Sequence, residues 1–366
     1  MEWTTLRLTP AHSQFSQVPF VAMESKLGVV AHEIADPPVT IYEVAAAAGV
    51  SPSTVSRTFA RPGRVSVRTA DHVRAIATEL GYREDSVVRP VRSVRHRTIG
   101  LAVSDITNPF YFGLLRGAEI QASKQDYTVL LMDAQESLSQ ERSNMDRVLP
   151  LIDGLIVASS RMSDTVLRSI AKGQPIVVVN RVVAGLPSVV PDTAQGMTMA
   201  ITHLTQLGHS SIHYLAGPDT SWISGMRWLA LRSAAQAAGV TAHRLGPVPA
   251  TLDGGASAAP QIMARRASAV ICFSDLIAIG LIRALMGKGQ TIPGDISVIG
   301  CDNIFYSDLI YPSLSTIAAP MGLLGDTAVR HIVSALSGSR SGKLASAPIP
   351  VKLIVRDSTG PAPWRH

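Results

Sequence analysis

The sequence predicts a small all-α helix-turn-helix head followed by a two-lobed α/β core with parallel, doubly wound sheets. Three observations predict it. First, residues 39–97 hold ten arginines, no lysine and five acids, nearly all of the chain's net charge of +6. Second, that basic stretch carries helix signals. Third, from Thr98 onward short β-branched runs alternate with helical stretches. Such alternation means parallel strands with helices on both faces. The 366 residues suffice for two or three folding units.

In chain order, residues 1–38 show no sustained period and are expected to be a disordered N-terminal extension. Residues 39–84 are expected to form the helix-turn-helix head. Thr40 and Glu43 make a capping-box pattern, and Ile41, Val44, Ala45 and Ala48 then share a face. Gly49 stops that helix. Ser51 is a good N-cap, and Pro52 suits the first helical position. Val55 and Phe59, four apart, give the second helix a narrow apolar stripe, and Pro62-Gly63 breaks it. Ser66 caps a third helix with Val73, Ile76, Ala77 and Leu80 on one face, ended by Gly81. Two short helices joined by a glycine turn and closed by a third form a helix-turn-helix pattern. A basic module on a near-neutral body points to a polyanion partner.

The core strands are read as "TIGLAV", "YTVLLMD", "DGLIVAS", "PIVVVN", "SIHYLAG", "SAVICFS" and "ISVIGCD". The first lobe is expected from Thr98 through the 170s, and the second centred on 208–310. Mean hydropathy is +0.22, and no apolar run reaches the roughly 18 residues of a membrane span. The N-terminus does not read as a secretory signal. Cys272 and Cys301 lie in strand-like text and read as reduced core thiols in a cytoplasmic protein. No metal site and no cofactor are expected, because Cys/His clusters, dinucleotide fingerprints, P-loops and nucleophile elbows are missing from the sequence. No catalytic residue is assigned.

In open α/β sheets, ligands bind beyond the carboxyl ends of the strands. Those ends carry Asp105, Asn180, Ser274 and Asp302. Polar groups facing one crevice suit a polyhydroxylated ligand. Each also has a plainer reading, because Asp, Asn and Ser at strand ends often cap the next helix or turn. Phe110, Tyr111 and Phe112 follow the first strand and could wall the ligand or sit in the core.

At this point the text resembles a known family. "VTIYEVAAAAGVSPSTVSRTFA" and "VSVRTADHVRAIATELGY" are similar to the DNA-binding head of lactose/galactose-repressor regulators. The likeness continues through "RTIGLAVSDITNPFYFGLLRGAE", "DGLIVASS", "LTQLGHSSIHYLAGP", "FSDLIAIGLIRAL", "IPGDISVIGCDN" and "YPSLSTIAAPM". It spans roughly residues 39–360. The resemblance implies a homodimeric transcriptional regulator, a repressor of a double-stranded DNA operator, with no membrane association. Its core would be periplasmic-binding-protein-like and close on a small-molecule effector, a carbohydrate; a nucleobase or a protein corepressor is the alternative. A sugar-binding transport protein is the nearest different class, and a sugar enzyme the next. The helix-turn-helix argues against the transport protein.

The resemblance also assigns residues. Base readers fall on Pro52, Ser53 and Arg57. Phosphate contacts fall on Thr40, Tyr42, Ser51, Thr54, Ser56, Arg64, Ser66 and Thr69. Pro52 cannot donate a hydrogen bond, so readout leans on Ser53 and Arg57. The hinge falls on residues 85–97, with Val91 where relatives carry a leucine wedge, and Pro90 before it. Arg89, Arg92 and Arg95 are expected to hold phosphates there. In the core, Arg227 falls on the ligand-gripping arginine and Asp302 on the hydroxyl-binding carboxylate. Asn180 and Ser274 fall on further polar positions. The usual stacking aromatic is replaced near Ala250, Ala319 stands for a frequent glutamine, and Trp222 is expected as the substitute aromatic.

Overall fold

A computed structural model describes residues 40–60, 65–80, 96–338 and 347–363. The expected extension over 1–38, Arg64, and the hinge residues Arg89, Pro90, Val91, Arg92 and Arg95 lie outside the described residues. The chain divides into two units, Met1–Val91 and Arg92–His366.

In the first unit, α1 (Ile41–Ala47), α2 (Pro52–Ala60) and α3 (Val67–Glu79) follow the expected punctuation. The Thr40–Glu43 capping box closes in both directions. Gly49 has φ +62, a left-handed turn residue that lets α2 start three residues later. Ser51 accepts from the Thr54 amide at 3.2 Å, and Ser66 from the Thr69 amide at 3.2 Å. Val44, Ala45, Ala48, Val55, Val73 and Ala77 form one small core with Phe59 packed against it. Six such side chains are a thin core, so each matters to head stability.

The second unit opens with β1 (Thr98–Val103), α4 (Phe110–Ser123), β2 (Thr128–Asp133), α5 (Leu138–Val148), β3 (Gly154–Ala158), α6 (Asp164–Ile170), β4 (Ile176–Val179) and the two-residue β5 (Ser188–Val189). These strands form a parallel sheet in the order β2-β1-β3-β4-β5. The chain then crosses to α7 (Thr193–Gln206), β6 (Ser211–Leu215), α8 (Trp222–Ala237), β7 (Thr241–Leu245), α9 (Leu252–Ser257), α10 (Ala259–Ala264), β8 (Ala269–Cys272), α11 (Asp275–Met286), β9 (Ser297–Cys301) and β10 (Ser315–Ala318). It returns to the first lobe with α12 (Met321–Leu336) and ends in the second with β11 (Lys352–Ile354). The second sheet runs β11-β10-β9-β8-β6-β7, parallel except for the β10–β11 edge.

The lobes are therefore not contiguous in sequence, whereas the strand runs predict one lobe through the 170s and the other after it. α12 packs on α4 with almost no gap. A Cβ on Gly117 would lie 1.9 Å from the Gly322 carbonyl oxygen, so only glycine admits this approach. Both sheets present their carboxyl ends to one cleft, and Asn180, Ser274 and Asp302 follow them there.

Candidate functional site

The cleft holds a cavity of about 510 Å³, counting its open mouth. Both lobes line it. The first contributes Ser104, Tyr111, Ser159, Arg161 and Asn180, and the second Ser221, Ile223, Arg227, Ser274 and Asp302.

Its second-lobe wall is built around a buried ion pair. Arg227, one turn into α8, donates from Nη2 to Asp302 Oδ1 at 3.0 Å and from Nη1 to the Phe273 carbonyl. Its guanidinium also lies 5.1 Å from the Phe273 ring centre, in cation–π range. Asp302 is 9% exposed, and burial pushes its carboxyl up to about 7 against the pull of Arg227. Asp302 also has φ +115, a backbone state that costs a non-glycine residue energy. Asp275, fully buried behind it, accepts from Thr316 Oγ1 at 2.6 Å, Ser307 Oγ at 2.6 Å and the Ile304 amide at 2.9 Å. Those bonds tie the loop after Asp302 to α11 and β10, and they hold the strained carboxylate in place. Burial pushes Asp275 up to about 6.

On the first-lobe side, Asn180 has φ +63 and Ser159 φ +57. Asn180 donates from Nδ2 to Ser159 Oγ at 3.0 Å. Its Oδ1 is buried and accepts no hydrogen bond among the described residues. A buried acceptor without a donor costs about 1–3 kcal/mol, so the site is set up to take a hydroxyl or amine from a ligand. Tyr111 lies within 2.7 Å of Ser104 Oγ, and burial raises its phenol. Arg161 pairs with Glu136 at the cavity mouth.

Three expected effector residues lie elsewhere. Asp105 does not line the cavity; its Oδ1 accepts from the Thr107 amide and hydroxyl at 2.8 and 2.7 Å, a turn-capping role. Phe112 points away, 49% exposed and stacked on Phe305 at 6.5 Å. Trp222 lines a neighbouring cavity rather than this one. Phe110, Tyr111, Asn180, Arg227, Ser274 and Asp302 do line it. Ser274 also caps α11, accepting from the Ile277 amide at 3.4 Å, so its plainer reading holds alongside. Ala250 lines the cavity as a small apolar patch. The reading missed Ser159, Glu136 and Arg161. Ser159 ends a strand, and the rule that found Asn180 could have found it. Cys272 and Cys301 are both free and buried, and burial pushes the Cys301 thiol up to about 12.

In the head, Pro52, Ser53 and Arg57 are exposed on α2, while Val55 and Thr58 face inward. Ser53 and Arg57, four apart, share one face. Thr40, Tyr42, Ser51, Ser66 and Thr69 border the N-termini of α1, α2 and α3; all but the half-buried Thr69 are exposed, as is Tyr42 at 71%. Thr54 and Ser56 are half-buried on α2. Amides and hydroxyls at helix N-termini suit phosphate oxygens.

A family model described as bacterial regulatory proteins, lacI family, matches residues 40–85. A model described as a periplasmic binding protein-like domain matches residues 201–359. The chain is 30% identical over 332 residues to the HTH-type transcriptional repressor CytR of Escherichia coli (strain K12), covering 88% of this chain and 97% of that relative. It is similar to the structure of a LacI family transcriptional regulator from Enterococcus faecium with bound ribose, at 30% identity and TM-score 0.65, over 72% of this chain and 99% of the other. It is similar as well to the lac repressor dimer bound to operator and the anti-inducer ONPF, at 25% identity and TM-score 0.65, over 88% and 100%.

Proposed function

This chain belongs to the lacI family of bacterial regulatory proteins, and from that premise we propose that it represses transcription from a roughly palindromic operator under the control of a sugar bound between its lobes. The observation that carries the sugar reading is the cavity itself. It offers the paired Arg227 and Asp302, the unpartnered Asn180 Oδ1, serine hydroxyls and the aromatic edges of Phe110 and Tyr111. A polyol presents hydroxyls to each polar group and C–H faces to the rings. The charged groups in the wall are paired, Arg227 with Asp302 and Arg161 with Glu136, which suits a ligand without net charge.

The head reads DNA through α2. Arg57 is placed to take guanine O6 and N7, Ser53 to make a shorter polar contact, and Pro52 to make shape contacts only. Thr40, Tyr42, Ser51, Thr54, Ser56, Ser66 and Thr69, with Arg64, hold phosphates. The segment 85–97, including Arg89 and Val91, transmits lobe closure to the head. We read the active form as a homodimer, supported by exposed apolar side chains: Phe112 stacks on Phe305, and Tyr311 is 86% exposed. We place the protein in the cytoplasm with its DNA. Among the described residues no helix is long and apolar enough to cross a membrane.

The test is selection of duplexes from a random pool by the full-length protein. The expected result is a two-fold-symmetric motif. Arg57→Ala should weaken binding to it by about 1–3 kcal/mol and relax preference at one base pair per half-site. Recovery of no motif, or unchanged discrimination by Arg57→Ala, sinks this assignment.

A further inference from the structure

The chain just past β11 braces the loop that follows Asp302. Arg356 lies two residues beyond that strand, and Ser315 fixes its backbone. The Arg356 amide donates to Ser315 Oγ at 2.8 Å, and Ser315 Oγ donates back to the Arg356 carbonyl at 3.2 Å. The side chain is 16% exposed, and its three nitrogens each meet a different point of one loop. Nη2 donates to Asn303 Oδ1 at 3.0 Å, Nη1 to the Leu314 carbonyl at 2.6 Å, and Nε lies 3.3 Å from Asp308 Oδ1. The Asp308 side chain is 74% exposed, so that pair adds little. The grip is on Asn303 and Leu314, the two ends of the loop.

That loop, 303–314, starts from the cavity carboxylate. Asp302 and Asn303 have φ +115 and +54, two left-handed residues in a row, neither of them glycine. Such a backbone persists only where its surroundings over-determine it. Asp275 fixes Ile304, Ser307 and Thr316. Thr316 Oγ1 in turn accepts from the Asn303 amide at 3.3 Å. Arg356 supplies what these bonds leave out, the side chain of Asn303 and the carbonyl of Leu314. A guanidinium is planar and carries separate donors, so it can hold two points at once; a lysine ammonium offers one nitrogen.

We propose that Arg356 is a positioning residue of the effector site: by tying Asn303 to Leu314 it keeps Asp302 turned toward Arg227, in the geometry that meets the ligand. Its importance to regulation rests on the reading of Asp302 as an effector contact. Its action on Asp302 needs no ligand to be observed.

NMR titration of the aspartate carboxyl carbons in the isotope-labelled full-length protein tests it, with the Asp302 signal assigned by its loss in Asp302→Asn. The groups beside that carboxyl are Arg227, Asp275 and the Cys301 thiol. In the parent Asp302 titrates at about 7. In Arg356→Ala the loop slackens and water reaches the carboxyl, which should titrate at least about one pH unit lower, toward the ordinary value of about 3.9. A smaller fall, or a rise, overturns the assignment. A purely structural role lowers the thermal midpoint and leaves the Asp302 titration in the folded protein where it was. Arg356→Lys should recover less than half of the drop; a larger recovery shows that charge suffices and overturns the two-point hold. Asn303→Ala keeps Arg356 and its bond to Leu314, and should lower the titration by at least about half a unit. A smaller change there overturns the assignment even if Arg356→Ala does not fold. A chain that binds no sugar would still show these shifts, so the two readings fail separately.

Discussion

Asp302 sits under two opposed influences. Arg227 favours its ionised form, and burial disfavours it more, lifting its carboxyl to about 7 while Asp275 behind it is lifted to about 6. Unfolded, both would titrate near the ordinary aspartate value of about 3.9. Between about pH 4 and 7 the folded chain therefore holds more protons than the unfolded one. The stability these groups contribute falls as pH rises through that window. Asp302→Asn removes one of the two titrations. Thermal midpoints of the ligand-free protein between about pH 5 and 7.5 should then fall less steeply with rising pH than in the parent. Parallel slopes would show that Asp302 keeps an ordinary carboxyl. The same residue explains why a strand-end polar group was legible in the sequence but its strain was not. The position follows from the end of "ISVIGC"; the φ of +115 depends on Asp275, Thr316 and Ser307 meeting behind it.

At the scale of elements, the crossing of α4 and α12 binds the last long helix to the first lobe. Its closeness depends on a backbone with no Cβ at Gly117. Gly117→Ala drives a methyl against the Gly322 carbonyl and should cost about 1–3 kcal/mol or more, read by denaturant unfolding of the second unit. A loss below about 0.5 kcal/mol would mean that the two helices can part without penalty. The sequence did not reveal this pairing, because α4 and α12 are some 200 residues apart. The central parallel strands, buried on both faces, were legible as apolar runs. The reading passed over β5, β7, β10 and β11, which are short, or, like β7 ("TAHRL"), at an edge with polar residues. The three head helices were legible because caps mark them: Thr40, Ser51 and Ser66 each bond the amide expected. Trp222, Phe112 and Asp105 lie outside the inner cavity for a common reason. Sequence position says which strand end or helix start a residue occupies, but not which way its side chain turns when the neighbouring loop folds.

For the whole molecule, the chain passes between the lobes three times, so α12 belongs to the first lobe although it follows the second in sequence. A ligand gripped by Arg227 and Asp302 on one side and Asn180 on the other favours the closed arrangement only by its difference in affinity for the two states. Coupling of that kind is typically 1–3 kcal/mol, or about 5–150-fold in the affinity of the other site. Fluorescence anisotropy of the full-length protein on its selected DNA, with and without a saturating saccharide that it binds, measures this coupling directly. The expected result is a ratio of operator Kd values at least about fivefold from unity in the parent, falling to unity in Arg227→Ala at the same saccharide concentration. The contradicting result is a ratio of one in the parent while calorimetry shows the cavity filled.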